Sequence, residues 1–229
     1  MDYDNYFKRR GVKFGNTGTV PKYLTNYLPS NKDSLILDIG CGSGELLFAL
    51  KRRGYKNVCG IDLDESAVKW VKRNGVSCEK VDVMQYQPQL KYDFIIMSHV
   101  LEHIPKSQTI QVLAHIREEL LNEGGKLFVR VPNAQSYTGC YWAYEDFSHC
   151  TLFTAGSLSF VLQNAGFRKC TLLDQDGLSD VDGIEKICKR VLLFLYTKKL
   201  DFGNYITNSS FHKPSLRVYT YELKVISEK

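Results

Sequence analysis

Residues 34–54 read SLILDIGCGSGELLFALKRRG, and this run restricts the possible folds more than any other part of the chain. Ser34–Ile39 is apolar at four of its six positions, Leu35–Leu37 and Ile39, and reads as a buried strand. It passes through glycines at 40, 42 and 44 into Gly44–Arg53, which reads as a helix closed by Gly54. A strand that is apolar on both faces needs cover on both faces, and a parallel sheet flanked by helices supplies it. The alternation then repeats. Asn57–Ile61 reads as a strand, Glu65–Arg73 as a helix closed at Asn74-Gly75, and Val76–Val81 and Tyr92–Met97 as strands. Gln108–Leu121 carries a helical stripe at 112, 113, 116, 120 and 121, and Gly125–Val131 is a fifth strand ended by Pro132.

Beyond Pro132 the pattern changes. Asn133–Cys150 is aromatic without a clear period. Thr154–Gly166 reads as a helix with Thr154 as its N-cap, followed by a strand at Phe167–Leu173. Ile184–Lys199 is an amphipathic helix with an apolar centre, and Ser215–Ile226 a last strand. The expectation is one α/β domain over 1–229, doubly wound. It has an N-terminal helical cap at 1–30, a ligand-binding core at 34–133, and cap segments on the substrate side at 134–153 and 182–214.

Composition agrees with a globular domain: 44% hydrophobic and 24% charged residues over 229 positions are far from the signature of disorder. No apolar run approaches the roughly 18 residues of a membrane span. The N-terminal MDYDNYFKRR lacks the apolar stretch of a signal peptide, so a cytoplasmic protein is expected. The seven cysteines contain no CxxC, which excludes a zinc knuckle and a thioredoxin-like motif. The whole formal charge of +5 sits after residue 183, where nine Lys/Arg face four Asp/Glu. That is a solvated face or a basic mouth over an anionic acceptor. No nucleic-acid motif accompanies it, so a nucleic-acid partner is not expected.

The glycine turn lets a ligand approach the backbone, and the helix behind it offers free N–H groups. A dinucleotide fingerprint, GxGxxG, would need a third glycine at position 45, where Glu45 stands. Negative charge there disfavours a pyrophosphate and suits a ligand carrying a carboxylate, an amine and a sulfonium. Asp62 ends the second strand, 22 residues beyond Gly40, and can accept two hydrogen bonds from ribose hydroxyls. Leu63 beside it can pack on an adenine face, and Asp82 can accept from an exocyclic amine. One strand-end Asp is usually a cap or turn residue. Asp38, Asp62 and Asp82 on three successive strands point instead to an adenosine ligand across the carboxyl ends of the sheet.

LDIGCGSGE, GIDLDESAV, VDVMQY, YDFIIMSHVLEHI and GGKLFVRVPN follow one another over residues 34–133. In this order they resemble the successive motifs of class I S-adenosylmethionine-dependent methyltransferases. DFSHCTLFTAGSLSFVLQNAGF, at 146–167, resembles the subfamily related to ubiquinone-pathway O-methyltransferases, which includes many polysaccharide and natural-product enzymes. The resemblance implies a seven-stranded sheet of order 3-2-1-4-5-7-6 with strand 7 antiparallel, and S-adenosylmethionine as cofactor. It places Asp38, Gly40, Gly42 and Gly44 near the methionine moiety, Asp62 on the ribose, and Leu63 and Val83 around adenine. It puts Asp82 on the adenine amino group and Ser98 at the methionyl end.

His99-Val-Leu-Glu102-His103 matches HxxEH, but that zinc pattern needs a helix and further ligands. Here it begins at a strand end, so no metal is expected; Glu102 and His103 read as ties to the neighbouring helix. His99 could face a substrate. No Asn/Asp-Pro-Pro-Tyr motif follows strand 4, which weighs against methylation of exocyclic base nitrogens. Tyr137, Tyr141, Trp142, Tyr144 and Phe147 read equally as an acceptor pocket and as a hydrophobic plug. His149 is the candidate general base, oriented by Asp146 or Glu145. The expected activity is O-methylation of a small molecule, with a sugar hydroxyl ahead of a phenol on the resemblance alone. A non-catalytic partner that binds the same cofactor and a nicotinamide-dependent oxidoreductase are the alternatives.

Overall fold

The computed structural model describes residues 11, 14, 15, 17–211 and 216–229. Seven strands form one sheet: β1 (Leu35–Ile39), β2 (Asn57–Asp62), β3 (Ser77–Lys80), β4 (Tyr92–Ser98), β5 (Leu121–Pro132), β6 (Arg168–Leu172) and β7 (Glu222–Glu228). Their order is β3-β2-β1-β4-β5-β7-β6, as expected. β1 to β5 pair in parallel, whereas β7 runs antiparallel to both β5 and β6.

The helices are α1 (Lys22–Thr25), α2 (Glu45–Arg52), α3 (Glu65–Arg73), α4 (Thr109–His115), α5 (Gly139–Glu145), α6 (Ala155–Asn164) and α7 (Gly183–Thr207). Alternate residues of the central strands feed the two sides of the sheet. Leu37, Ile95, Met97, Leu127 and Val129 pack with Val112 and Leu113 of α4 and Leu158 and Leu162 of α6. Ile36, Phe94, Ile96 and Phe128 pack with Leu47 and Leu50 of α2 and Val68 and Val71 of α3. This two-sided burial is why Leu35–Leu37 of β1 and Phe94–Met97 of β4 are unbroken apolar runs. Asp64 caps α3 by accepting from the amides of Ser66 and Ala67, and Thr154 with Ser157 forms a reciprocal capping box on α6.

Several boundaries differ from the sequence reading. The helix expected to Leu121 ends at His115 and closes through a wider turn, Ile116–Leu120. Leu121 instead opposes Tyr92 at the start of β5, because a buried leucine satisfies a strand as well as a helical stripe. The last strand begins at Glu222, because β5 ends at Pro132 and offers no ladder beyond it. Before that point the buried side chain of Asn133 holds the chain, donating to the carbonyls of Val218 (2.8 Å) and Thr220 (2.9 Å). Ser215 lies outside the described residues.

The N-terminal helical cap expected at 1–30 falls in part on residues outside the description. Among the described residues up to 30, only Lys22–Thr25 is helical, with Pro21 immediately before it; residues 1–10, 12, 13 and 16 lie outside the description. Val20 and Leu24 nonetheless bury against the core beside α2. α7 is longer than expected and buries none of its residues. Ile184, Ile187, Val191, Leu195, Phe202 and Tyr205 are exposed, while Tyr196 meets Tyr219 edge-on. Its apolar centre therefore faces away from the sheet.

One glycine in β2 allows the turn after β1 to close. A Cβ on Gly60 would stand 2.6 Å from Cys41 Sγ and 2.8 Å from Leu47 Cδ1. Gly60→Ala is expected to destabilise the fold by about 1–3 kcal/mol through overpacking. Urea unfolding checks this, and an unchanged midpoint would show that the turn gives way freely.

Candidate functional site

The carboxyl ends of β1, β2 and β4 open into two adjoining cavities of about 400 and 520 Å³ that share Gly40, His99 and His103 in their walls. The turn between β1 and α2 forms the ridge between them. It is fastened to β2: Gly40 N and Cys41 N donate to the Ile61 carbonyl (2.8 and 3.1 Å), and Gly42 N donates to Asp62 Oδ2 (2.7 Å). Asp62 Oδ1 accepts from Asp64 N at 2.8 Å. Gly40, Gly42 and Gly44 all take positive φ, and a Cβ on Gly40 would lie 2.3 Å from Val100 Cγ2. Neither the conformation nor the space admits a side chain there.

The first cavity gathers Asp62, Leu63, Asp82 and Val83 with Gly40. Asp62 ends β2, but Asp82 stands two residues past β3, in a turn where its Oδ1 accepts from Met84 N (2.8 Å). Asp38 is the fourth residue of β1, one before its end. The apolar remainder, including Ile61, Val81, Val100 and Ile104, makes this chamber suited to a flat ring with hydroxyls at its Asp62 side. Burial raises the Asp62 carboxyl, opposed by the amides of Asp64 and Gly42. Gly44 lines neither chamber; it precedes α2 and packs against Val71 and Phe48.

The second cavity holds Asp38, Gly42, Ser98, Arg130, Trp142, Asp146 and His149. Burial, then the neighbouring Asp62 charge, pushes the Asp38 carboxyl up to about 8, with Arg130 opposing. Arg130 Nε donates to Ser98 Oγ (2.8 Å), so Ser98 is held toward β5. Neither Arg130 nor Tyr221, which also lines this chamber, was singled out from the sequence. Arg130 lies in β5 and Tyr221 immediately precedes β7, whose pairing with β5 joins residues far apart in the chain.

His99 is clamped rather than open. Its Nδ1 donates to Glu102 Oε1 (3.1 Å) and its Nε2 to Glu222 Oε1 (2.7 Å), with φ at 56°. Burial pulls its pKa down, but the bonds to Glu102 and Glu222 outweigh it and lift it to about 8. A protonated, doubly bonded imidazole positions the turn and is unsuited to taking a proton.

His149 reaches the second cavity from the loop after α5. Its Nδ1 donates to the Trp142 carbonyl (2.7 Å), and its Nε2 stands 3.8 Å from Asp146 Oδ2. The partner that fixes the ring is thus a backbone carbonyl, while Asp146 stands beside Nε2. Glu145 is the exposed last residue of α5 and lines neither cavity. Trp142 packs edge-on against Tyr221 as a wall, whereas Tyr137, Tyr144 and Phe147 point into solvent. Of the two expected cap segments, 134–153 supplies cavity residues; among the described residues, 182–214 supplies none to either chamber.

These chambers fit S-adenosylmethionine in kind: an apolar slot with the Asp62 carboxylate in its wall, and a turn without room for a Cβ. The second chamber adds a buried acid and a cation. Comparison with known proteins agrees. The sequence profile of the family described as "Methyltransferase domain" matches residues 17–172. The chain is 33% identical over 129 residues to the ribosomal protein L11 methyltransferase of Shewanella baltica, covering 51% of this chain and 41% of that protein. It is 30% identical over 120 residues to the ubiquinone biosynthesis O-methyltransferase of Coxiella burnetii, covering 49% of each. The chain thus spans less than half the length of these relatives. A solved structure of an S-adenosylmethionine-dependent methyltransferase from Archaeoglobus fulgidus superposes with a TM-score of 0.64 at 22% identity, covering 90% of this chain and 91% of that one. No helix among the described residues is long and apolar enough to cross a membrane. From the extent of the profile match the chain belongs to the methyltransferase-domain family, and its glycine turn and strand order give it the fold of class I S-adenosylmethionine-dependent methyltransferases.

Proposed function

We propose that the chain methylates a hydroxyl of a small-molecule acceptor, a sugar or a related polyol, held in the second cavity. The observation that carries this reading is the position of His149. His149 lines the same chamber as Asp38 and Ser98, and its Nδ1 is fixed on the Trp142 carbonyl, which leaves the lone pair on Nε2. S-adenosylmethionine supplies an electrophilic methyl group on a sulfonium. The remaining work is alignment of the acceptor and removal of its proton. Trp142, Tyr221 and Tyr23 give the chamber aromatic walls, and Arg130 adds a cation for an acidic acceptor. Asp38 is suited to an ammonium, Asp62 to ribose hydroxyls, and Asp82 to the adenine amino group. The Glu102–His103 and Asp146–His149 pairs form the polar end where the acceptor hydroxyl loses its proton. A nicotinamide-dependent oxidoreductase has no counterpart in the family match. A protein that only binds the cofactor is separated from an enzyme by S-adenosylhomocysteine formation with candidate acceptors.

Three outcomes test this assignment. Asp62→Ala removes a charged acceptor and also releases the Gly42 amide. Hydrogen bonds to charged groups contribute about 1.5–3 kcal/mol each, so affinity for S-adenosylhomocysteine should fall roughly tenfold or more. Calorimetry on the folded variant reads it, and affinity within twofold of wild type removes the ribose role.

Asp38 predicts a pH dependence. Its carboxyl titrates near 8 in the free protein, so at neutral pH it is mostly protonated. A bound ammonium favours the carboxylate, so binding releases a proton and affinity rises with pH up to about 8. Asp38→Asn should flatten that slope. Equal slopes in the two proteins would place the ammonium elsewhere.

His149→Ala should bind the cofactor normally and lose roughly 10²- to 10⁴-fold in turnover. Turnover within threefold of wild type at saturating acceptor would take His149 out of the chemistry and leave it a wall residue.

A further inference from the structure

Two segments distant in sequence are pinned together at the polar end of the second cavity. Cys150 N (2.7 Å) and Thr151 N (3.2 Å) both donate to the Glu102 carbonyl, fastening the loop after α5 against the turn after β4. Glu102, His103 and His149 converge there, each offering one ligand atom within 4.8 Å of the others. The His103 and His149 rings meet edge-on, 4.8 Å apart, and Asp146 Oδ2 stands 3.8 Å from His149 Nε2.

Both imidazoles are held in the tautomer that coordination requires. The Trp142 carbonyl can only accept, so His149 Nδ1 carries the proton and Nε2 keeps its lone pair. Ser148 Oγ donates to Asp146 Oδ1 (2.5 Å) and so accepts from His103 Nδ1 (2.8 Å), which leaves the His103 lone pair on Nε2 as well. An imidazole whose second nitrogen donates to a carbonyl or oxygen acceptor is the usual arrangement behind a metal ligand.

Glu102 supplies the independent sign of a missing partner. Its side chain is 0% exposed, and Oε1 accepts from His99. Its Oε2 is buried with no hydrogen bond among the described residues. A buried carboxylate oxygen left without a partner is costly, and a cation on it removes that cost.

We propose that Glu102, His103 and His149, with Asp146 alongside, bind one divalent transition-metal ion, and that the acceptor presents two neighbouring hydroxyls to it. Two imidazole nitrogens with carboxylate oxygens suit zinc, cobalt, iron or manganese; magnesium and calcium take oxygen ligands. Only two residues of the HxxEH pattern take part, and the set is completed by His149 from the loop after α5, beyond the reach of motif reading. Three ligands leave positions open toward the cavity, which Glu102, His103 and His149 all line. A hydroxyl held there is acidified and gives its proton to solvent. The O–CH₃ bond forms as the S–CH₃ bond breaks, and the sulfonium leaves as a neutral thioether. His149 then acts as a ligand. The substrate half of this inference rests on the methyl-transfer reading, whereas the ion site does not.

The test is titration of Co²⁺ and Mn²⁺ into the full chain after chelator treatment, followed by methyl transfer to vicinal diols and to mono-hydroxyl controls. One ion per chain is expected, with a Co²⁺ spectrum free of thiolate charge transfer, which excludes the cysteines as ligands. His149→Asn and Glu102→Gln should each weaken binding by at least about tenfold. Circular dichroism establishes folding, and His149→Asn carries the comparison if Glu102→Gln does not fold. Absence of stoichiometric binding, or equal binding in His149→Asn, overturns the site. If chelated protein also methylates at full rate, the methyltransferase reading stands with His149 as a free base. Stoichiometric binding that the variants lose, with methyl transfer only to mono-hydroxyl acceptors, keeps the ion and overturns the diol.

Discussion

The hydrogen bonds from the glycine turn to the end of β2 are the constraint on which the rest of the site depends. Gly40, Cys41 and Gly42 spend three successive amides on the Ile61 carbonyl and the Asp62 carboxylate. This holds the turn flat against the sheet and leaves the carboxyl ends of β1 and β4 uncovered. A side chain at Gly40 or Gly60 would collide with Val100, or with Cys41 and Leu47. The same small residues therefore serve packing below the turn and ligand approach above it. Burial raises both carboxyls, and the Asp62 charge adds to the cost of ionising Asp38.

A second set of restraints builds the polar end of the second cavity. Glu222 of β7 holds His99 Nε2, His99 Nδ1 holds Glu102 Oε1, and the Glu102 backbone carbonyl holds the amides of Cys150 and Thr151. This chain of contacts runs from the antiparallel edge of the sheet to the loop carrying His149. Burial, countered by Glu102, keeps the pKa of His103 below its ordinary value, so the cluster combines neutral imidazole with acidic groups. That combination distinguishes this end of the cavity from the purely structural His99, whose pKa is lifted to about 8 by its two carboxylates.

Most of the core could be read directly because its cause is local. A strand buried on two faces needs apolar residues on both, so the runs Leu35–Leu37 and Phe94–Met97 mark β1 and β4, and the order β3-β2-β1-β4-β5-β7-β6 follows from the resemblance those motifs carry. The Thr154 cap is equally local, since donor and acceptor lie three residues apart. Leu121 shows the limit: helix and strand both accept a buried leucine, and only the pairing with Tyr92 decides between them. α7 shows another, because a helical period says which residues share a face but not whether that face meets the sheet or solvent.

The amino-acid sequence alone determined the doubly wound sheet, the glycine turn and the acids at the ends of β1 and β2. Each arises from residues within one strand–turn–helix unit, where spacing fixes geometry. The tertiary structure alone decided the company of His149. Its fixing partner is the Trp142 carbonyl rather than Asp146 or Glu145, and its cavity neighbours are Glu102 and His103 from the turn after β4. It also decided that Arg130 and Tyr221 reach the same chamber, through the antiparallel pairing of β5 with β7. Such contacts depend on how distant segments pack, and no spacing along the chain encodes the distance between two loops that meet only when the sheet has closed.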